Sequence, residues 1–194
     1  MLAGPGQERA MKLFTIGHST RTLGEFIALL QQVEITCVVD VRSIPRSRAV
    51  PQFNQDTLAG SLAAEGIGYR HLPALGGRRH RKRAAPSHNT YWRVEAFRAY
   101  ADYAETEEFH LGLEALRGLA RRDRCAIMCA EAVWWRCHRR IITDYLLAGG
   151  ARVEHIMALG KLVPATLTPG VQVMPDETLR YPALGDTAQA ARTH

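Results

Sequence analysis

Five short apolar runs alternate with segments of helical periodicity, and this alternation leaves few folds open. The runs cover residues 12–17, 36–41, 69–75, 124–128 and 153–157. Thr36-Cys-Val-Val-Asp-Val41 is β-branched and apolar at both parities. A strand buried on both faces, as in a parallel sheet, reads this way. Between the first two runs, Leu23, Phe26, Ile27, Leu30 and Val33 recur at helical spacing. Thr22-Leu-Gly-Glu25 precedes them as a capping box, in which the hydroxyl and the carboxylate satisfy free backbone donors. Further helices are expected over 57–65, stopped by Gly66, and through Val94, Phe97, Ala101 and Ala104. After a break near Thr106 another follows through Phe109, Leu113, Leu116 and Ala120, and a last one over 134–147, closed by Gly149-Gly150. The order βαβαβαβαβ predicts an α/β fold: one open, mostly parallel sheet of about five strands, with helices on both faces in a Rossmann-like three-layer arrangement.

The expected domain covers residues 12–160. Residues 1–11 read as a flexible lead-in. Residues 161–194 read as an irregular extension with a hairpin over 163–173 around Thr168-Pro-Gly170 and a disordered end. A 194-residue chain with 46% hydrophobic and 23% charged residues has enough material for one full core. No apolar run approaches the roughly 20 residues that span a bilayer, and the N-terminus lacks the pattern of a signal peptide. Four cysteines in this length do not make a disulfide scaffold, so a reducing, cytoplasmic setting is the expectation.

In such a sheet the C-terminal strand ends share one edge, where ligands bind. That edge collects His18 and Ser19, Asp40 and Arg42, Gly76 and Gly77, Cys129 and Glu131. Cys129-Ala-Glu131 and Cys137-His138-Arg139 place two thiols, a carboxylate, an imidazole and a guanidinium within eleven positions. The chemistry this suggests is thiol-centred, with Cys129, Glu131, Cys137 and His138 as catalytic candidates. His18, Ser19, Asp40, Arg42, Arg46 and Arg139 would hold an anionic substrate, such as a nucleotide or nucleic acid. Cys129 is the expected reactive thiolate, favoured by a helix N-terminus and nearby arginines and opposed by Glu131. Cys137 would be its resolving partner, while Cys37 and Cys125 read as core residues. Asp40 and Arg42 share a strand face and also fit a structural ion pair.

Two other functions compete. Cys129, His18 and His138 are suitable zinc or iron ligands. Cys137 and His138, adjacent on a helix, would point about 100° apart and strain a shared ion. The run from Arg78 to Arg83 holds five cations, Arg78, Arg79, Arg81, Lys82 and Arg83. It accounts for nearly all of the formal charge of +6. With the aromatic residues that follow, segment 78–93 reads as a nucleic-acid contact around structural cysteines. Gly17-His-Ser-Thr-Arg-Thr-Leu-Gly24 has neither dinucleotide nor P-loop spacing, so no dinucleotide cofactor is expected.

Several separate motifs together carry a resemblance. They are Ile16-Gly-His-Ser19, Val39-Asp-Val-Arg-Ser43 with Pro45-Arg-Ser47, Leu75-Gly-Gly77, and Met128-Cys-Ala-Glu131 with Cys137-His-Arg139. In this order and spacing, over residues 13–157, the chain resembles domain-of-unknown-function family 488. The resemblance implies an α/β fold with a site built from these motifs, and a redox role for its cysteines. The basic run and Trp134-Trp135 depart from the common pattern. A weaker similarity links the Asp-x-Arg strand and the later cysteine to rhodanese-like sulfurtransferases and cysteine phosphatases. The loop after Cys129 has no glycine and carries Glu131, so that similarity speaks for architecture more than for reaction.

Overall fold

The computed structural model describes residues 10–79 and 86–183. Five strands lie parallel: β1 (Lys12–Gly17), β2 (Cys37–Asp40), β3 (Gly68–His71), β4 (Cys125–Cys129) and β5 (Arg152–Ala158). A sixth, β6 (Lys161–Pro164), runs antiparallel to β5, giving the order β3-β2-β4-β1-β5-β6. The α/β class and the mostly parallel sheet expected from the sequence are therefore present, with one more strand.

Two cores flank the sheet, as period-2 alternation requires. Phe14, Ile16, Val38, Ala126 and Met128 face α1 (Leu23–Gln31) and α2 (Gln55–Ala64). Leu13, Val39, Cys125 and Ile127 face the other core, built with α3 (Glu95–Ala104), α4 (Glu107–Ala120) and α5 (Arg139–Ala148). The capping box at Thr22 forms as expected: its hydroxyl accepts from Glu25 N, and Glu25 Oε2 accepts from Thr22 N. Thr106 likewise caps α4, which explains the break between α3 and α4.

Two expectations need correction. The helix expected over 134–147 begins later. Trp134–Arg136 is a 3-10 turn, Cys137 is extended (φ −132°, ψ 146°), and α5 starts at Arg139. The apolar spacing continues through 134–138, but the backbone does not, because the turn first returns the chain to the sheet edge. The hairpin expected over 163–173 forms earlier, as the tight β5–β6 turn at Leu159-Gly160, where Gly160 takes a positive φ.

Beyond β6 the chain folds back over the α5 face. A small ribbon of β7 (Gln172–Val173) and β8 (Leu179–Arg180) brings Leu179 and Tyr181 into the core. The Leu179 N–H donates to Tyr145 Oη, and Tyr181 Oη donates to Asp144 Oδ2. Burial pushes the Asp144 carboxyl up from its ordinary range, and the hydrogen bonds it accepts from Thr168 and Tyr181 oppose that shift. Leu179→Ala is therefore expected to cost about 2–5 kcal/mol, the range for a fully buried leucine. A cost within about 0.5 kcal/mol in urea melts, typical of surface positions, would show that this segment is an appendage.

Candidate active site

β1, β2 and β4 end side by side, and their last residues set the site. β4 ends at Cys129, opposite Gly17 in register. The chain then leaves the sheet through Ala130–Arg136 and returns at Cys137. A Cβ on Gly17 would overlap the Glu131 carbonyl. Glycine at this strand end is what lets the loop pass so close. A Cβ on Gly77 would overlap the His138 ring, and one on Gly76 would crowd Ser43. Gly77 thus gives up side-chain volume to seat the imidazole, and Gly76 gives it up to pass Ser43.

Cys129 Sγ, Cys137 Sγ and a His138 ring nitrogen lie within 4.8 Å of one another. His138 Nε2 is 2.9 Å from the Val41 carbonyl and donates to it. That bond leaves Nδ1 facing both sulfurs, 3.6 Å from Cys137 and 3.9 Å from Cys129. Tyr100 packs edge-on against the imidazole and donates to the Leu75 carbonyl at 2.8 Å. Both thiols are buried, with Cys129 6% and Cys137 2% exposed.

Arg139 decides which sulfur carries charge. Its side chain is only 1% exposed. Its Nε lies 3.3 Å from Cys137 Sγ, its backbone N–H donates to the same sulfur at 3.5 Å, and Nη2 donates to the Glu131 carbonyl at 2.6 Å. Among the described residues no carboxylate pairs with it. A buried cation is expensive without a counter-charge, and the sulfur of Cys137 is the group placed to supply one. Burial opposes ionisation of Cys137. The hydrogen bond from Cys129 and the charge of Arg139 counter it, and the thiol is held well below the ordinary range. The hydrogen bond to Cys137, together with burial, pushes Cys129 up. The sequence points to a thiolate at Cys129, whereas the donors at the start of α5 fall on Cys137, eight residues later in the chain.

The other expected site residues are distributed as follows. Asp40 and Arg42 form a buried ion pair at 2.6 Å. Asp40 also accepts from Tyr69 Oη, and Arg42 also donates to the Phe53 carbonyl. Arg42 is thus buried and bonded to partners inside the protein. His18 stacks on Phe53, donates from Nδ1 to the Ser19 carbonyl and accepts from Arg42 at Nε2. It does not join the cysteine cluster, so the ligand set of Cys129, His18 and His138 is not assembled, and Cys137 stands where His18 was expected. Ser19 takes a left-handed φ of 50° and meets the loop through its backbone, its N–H donating to the Ala130 carbonyl. Glu131 offers the site only its carbonyl, and its side chain is exposed. Arg46 is exposed. Arg78 is exposed at the edge, its N–H donating to Ser43 Oγ. Arg79 lies over the Tyr103 ring and donates to the Pro73 and Ala74 carbonyls. Arg81, Lys82 and Arg83 lie outside the described residues.

Sequence reasoning did not identify Tyr100 or the Val41 carbonyl as supports of His138. Neither leaves a motif, since one is an aromatic on a helix face and the other is backbone. It also did not foresee the second histidine arrangement, in which His155 bonds Thr15 Oγ1 at 2.8 Å and stacks flat on Trp134 at 4.3 Å. Burial pushes His155 down to about 4, with the Arg139 charge adding, and burial does the same to His18. Both are neutral in the native state, while unfolded chains protonate near 6.5. The unfolded state then binds more protons below that value. Stability is full above about 6.5 and is lost as the pH falls from 6.5 toward about 4. Urea melts across this window should show the loss, and His155→Gln should reduce it. A flat profile would mean that the two rings titrate normally.

No curated protein and no solved structure matches the chain. The family model described as "Domain of unknown function DUF488" matches residues 22–146, a span that runs from the α1 cap through most of α5 and includes Cys129, Cys137, His138 and Arg139. By that match the chain belongs to the DUF488 family.

Proposed function

We propose that this chain is a thiol-dependent enzyme working in a reducing, cytoplasmic setting, with Cys137 as its nucleophile, Cys129 as the second thiol and an anionic disulfide as its substrate class. The observation that carries the reading is the buried Arg139 guanidinium, whose nearest available counter-charge is the Cys137 sulfur. A thiolate held in this way is the attacking species in thiol chemistry.

The Cys137 thiolate attacks one sulfur of the substrate disulfide, and the other sulfur leaves as a thiolate. Cys129 then gives its proton to His138 Nδ1, which faces both sulfurs. The new Cys129 thiolate attacks Cys137, closing a disulfide and releasing the second substrate thiol. The substrate gains two electrons and the cysteine pair loses them. A low-molecular-weight thiol resets the pair.

Charge at the edge supports an anionic substrate. Arg46, Arg48, Arg78 and Arg136 are exposed on the loops that follow β2, β3 and β4. The competing nucleic-acid reading rests on segment 78–93, and the contact of Gly77 with His138 puts the start of that segment beside the thiols.

Oxidised glutathione is the probe for the chemistry. It is expected to close a Cys129–Cys137 disulfide in the native protein, read by peptide mapping. The Cys129→Ser variant should trap a mixed disulfide on Cys137, and Cys137→Ser should trap none. Trapping on Cys129 in place of Cys137, or reaction only after unfolding, would overturn the assignment.

Serine at Arg46, Arg48, Arg78 and Arg136 tests the charge argument. Each replacement should lower kcat/KM for oxidised glutathione about two- to fivefold, as expected for the loss of a few tenths to one kcal/mol at an exposed charge. The same variants should leave reduction of the neutral 2-hydroxyethyl disulfide unchanged. Equal losses on both substrates would remove the electrostatic argument.

A further inference from the structure

The atoms that face one another at this edge also have the dimensions of a metal site. We infer that Cys129 Sγ, Cys137 Sγ and His138 Nδ1 bind one zinc-type divalent ion, and that the ion and the thiol chemistry exclude each other. In a tetrahedral zinc site, bonds of about 2.3 Å to sulfur and 2.0–2.1 Å to nitrogen separate a sulfur and a nitrogen by about 3.5 Å. The observed separations are 3.6 Å and 3.9 Å, and all three atoms fall within 4.8 Å of one another. The cluster therefore needs to contract by only a few tenths of an ångström along the nitrogen–sulfur edges to close on an ion.

The expected strain between adjacent Cys137 and His138 does not arise, because Cys137 is extended and only His138 begins the helical turn. The histidine is also oriented as a ligand. Its Nε2–H is held by the Val41 carbonyl, so Nδ1 carries the lone pair toward the sulfurs. Metal-binding histidines are fixed by this kind of outer bond. Gly77 keeps the ring in place from the other side. Two sulfurs and one imidazole suit zinc better than harder cations.

Three protein ligands leave a fourth position open, as in catalytic zinc sites. Two thiolates cancel the ion's charge, and Arg139 then leaves the loaded cluster with a net positive charge. An anion is the fitting fourth ligand. The inference rests on the thiol reading only for the competition it predicts, since the coordination itself needs no nucleophilic role for Cys137.

The test uses reduced full-length protein without a polyhistidine tag, stripped with a chelator and titrated with Co2+ and then Zn2+. The expected result is one Co2+ per chain with a sulfur-to-cobalt charge-transfer band, displaced by Zn2+. Cys129→Ser, Cys137→Ser and His138→Ala should each lose or weaken the band by at least tenfold in affinity. Cys37→Ser, in the core, should keep it, and thermal melts of each variant report whether it has folded. In parallel, alkylation of Cys137 is followed in the stripped and Zn2+-loaded forms, with a slowing of at least tenfold expected on loading. A band that survives all three ligand variants, or no band in the folded native protein, overturns the inference. If there is no band but Cys137 is reactive, the metal fails and the thiol reading stands. A proper band with an unreactive Cys137 in the stripped protein has the opposite meaning.

Discussion

The contact between Arg139 and the Cys137 sulfur governs the chemistry of the whole edge. A guanidinium keeps its charge in a protein, and this one is almost fully removed from water. Something nearby must balance it. With no carboxylate paired to it among the described residues, the balance falls on sulfur, and the two cysteines become unequal. The same side chain ties down the Glu131 carbonyl, so the loop between the cysteines is fastened by the group that polarises one of them. Position and electrostatics are set by one residue.

Arg42 provides the comparison within the same molecule. It too is buried at this edge, but it meets Asp40 two residues away on the same strand end and donates to it from Nε and Nη2. That pair is closed, further satisfied by Tyr69 and the Phe53 carbonyl. A buried ion pair with its hydrogen bonds complete is a structural element. A buried cation whose counter-charge is a titratable thiol is a chemical one. The difference between the two arginines lies in what the fold put beside each.

Much of this was legible in the sequence, because it depends on short-range patterns. The β-branched runs, the Thr22–Glu25 capping box and the break at Thr106 are local signals, and each forms as read. Asp40 and Arg42 sit two apart, so a strand alone predicts that they meet. The cluster of Cys129, Cys137 and His138 was visible as composition, but its geometry was not. Helical spacing carried through 134–138 hid the turn that frees Cys137 from the helix and lets it face the same point as His138. The diversion of His18 to Phe53 and Arg42 depends on residues 24 and 35 positions away, and no local rule reports it. The burial of Leu179 and Tyr181 was missed for the same reason, since a polar, turn-rich segment carries no periodicity to announce a core contact.

The glycines at the strand ends link these two scales. Gly17 and Gly77 take ordinary backbone conformations, so neither is there for a left-handed turn. Each is small because another part of the site occupies the space its side chain would fill: the Glu131 carbonyl at one, the His138 imidazole at the other. Gly17 lets the loop bring Glu131 within reach of Arg139, and Gly77 lets His138 sit between the Val41 carbonyl and the sulfurs. Remove either space and the guanidinium loses its tie or the imidazole its aim, although no reacting atom has been touched. The chemistry at this edge therefore depends on where side chains are absent as much as on the cysteines themselves.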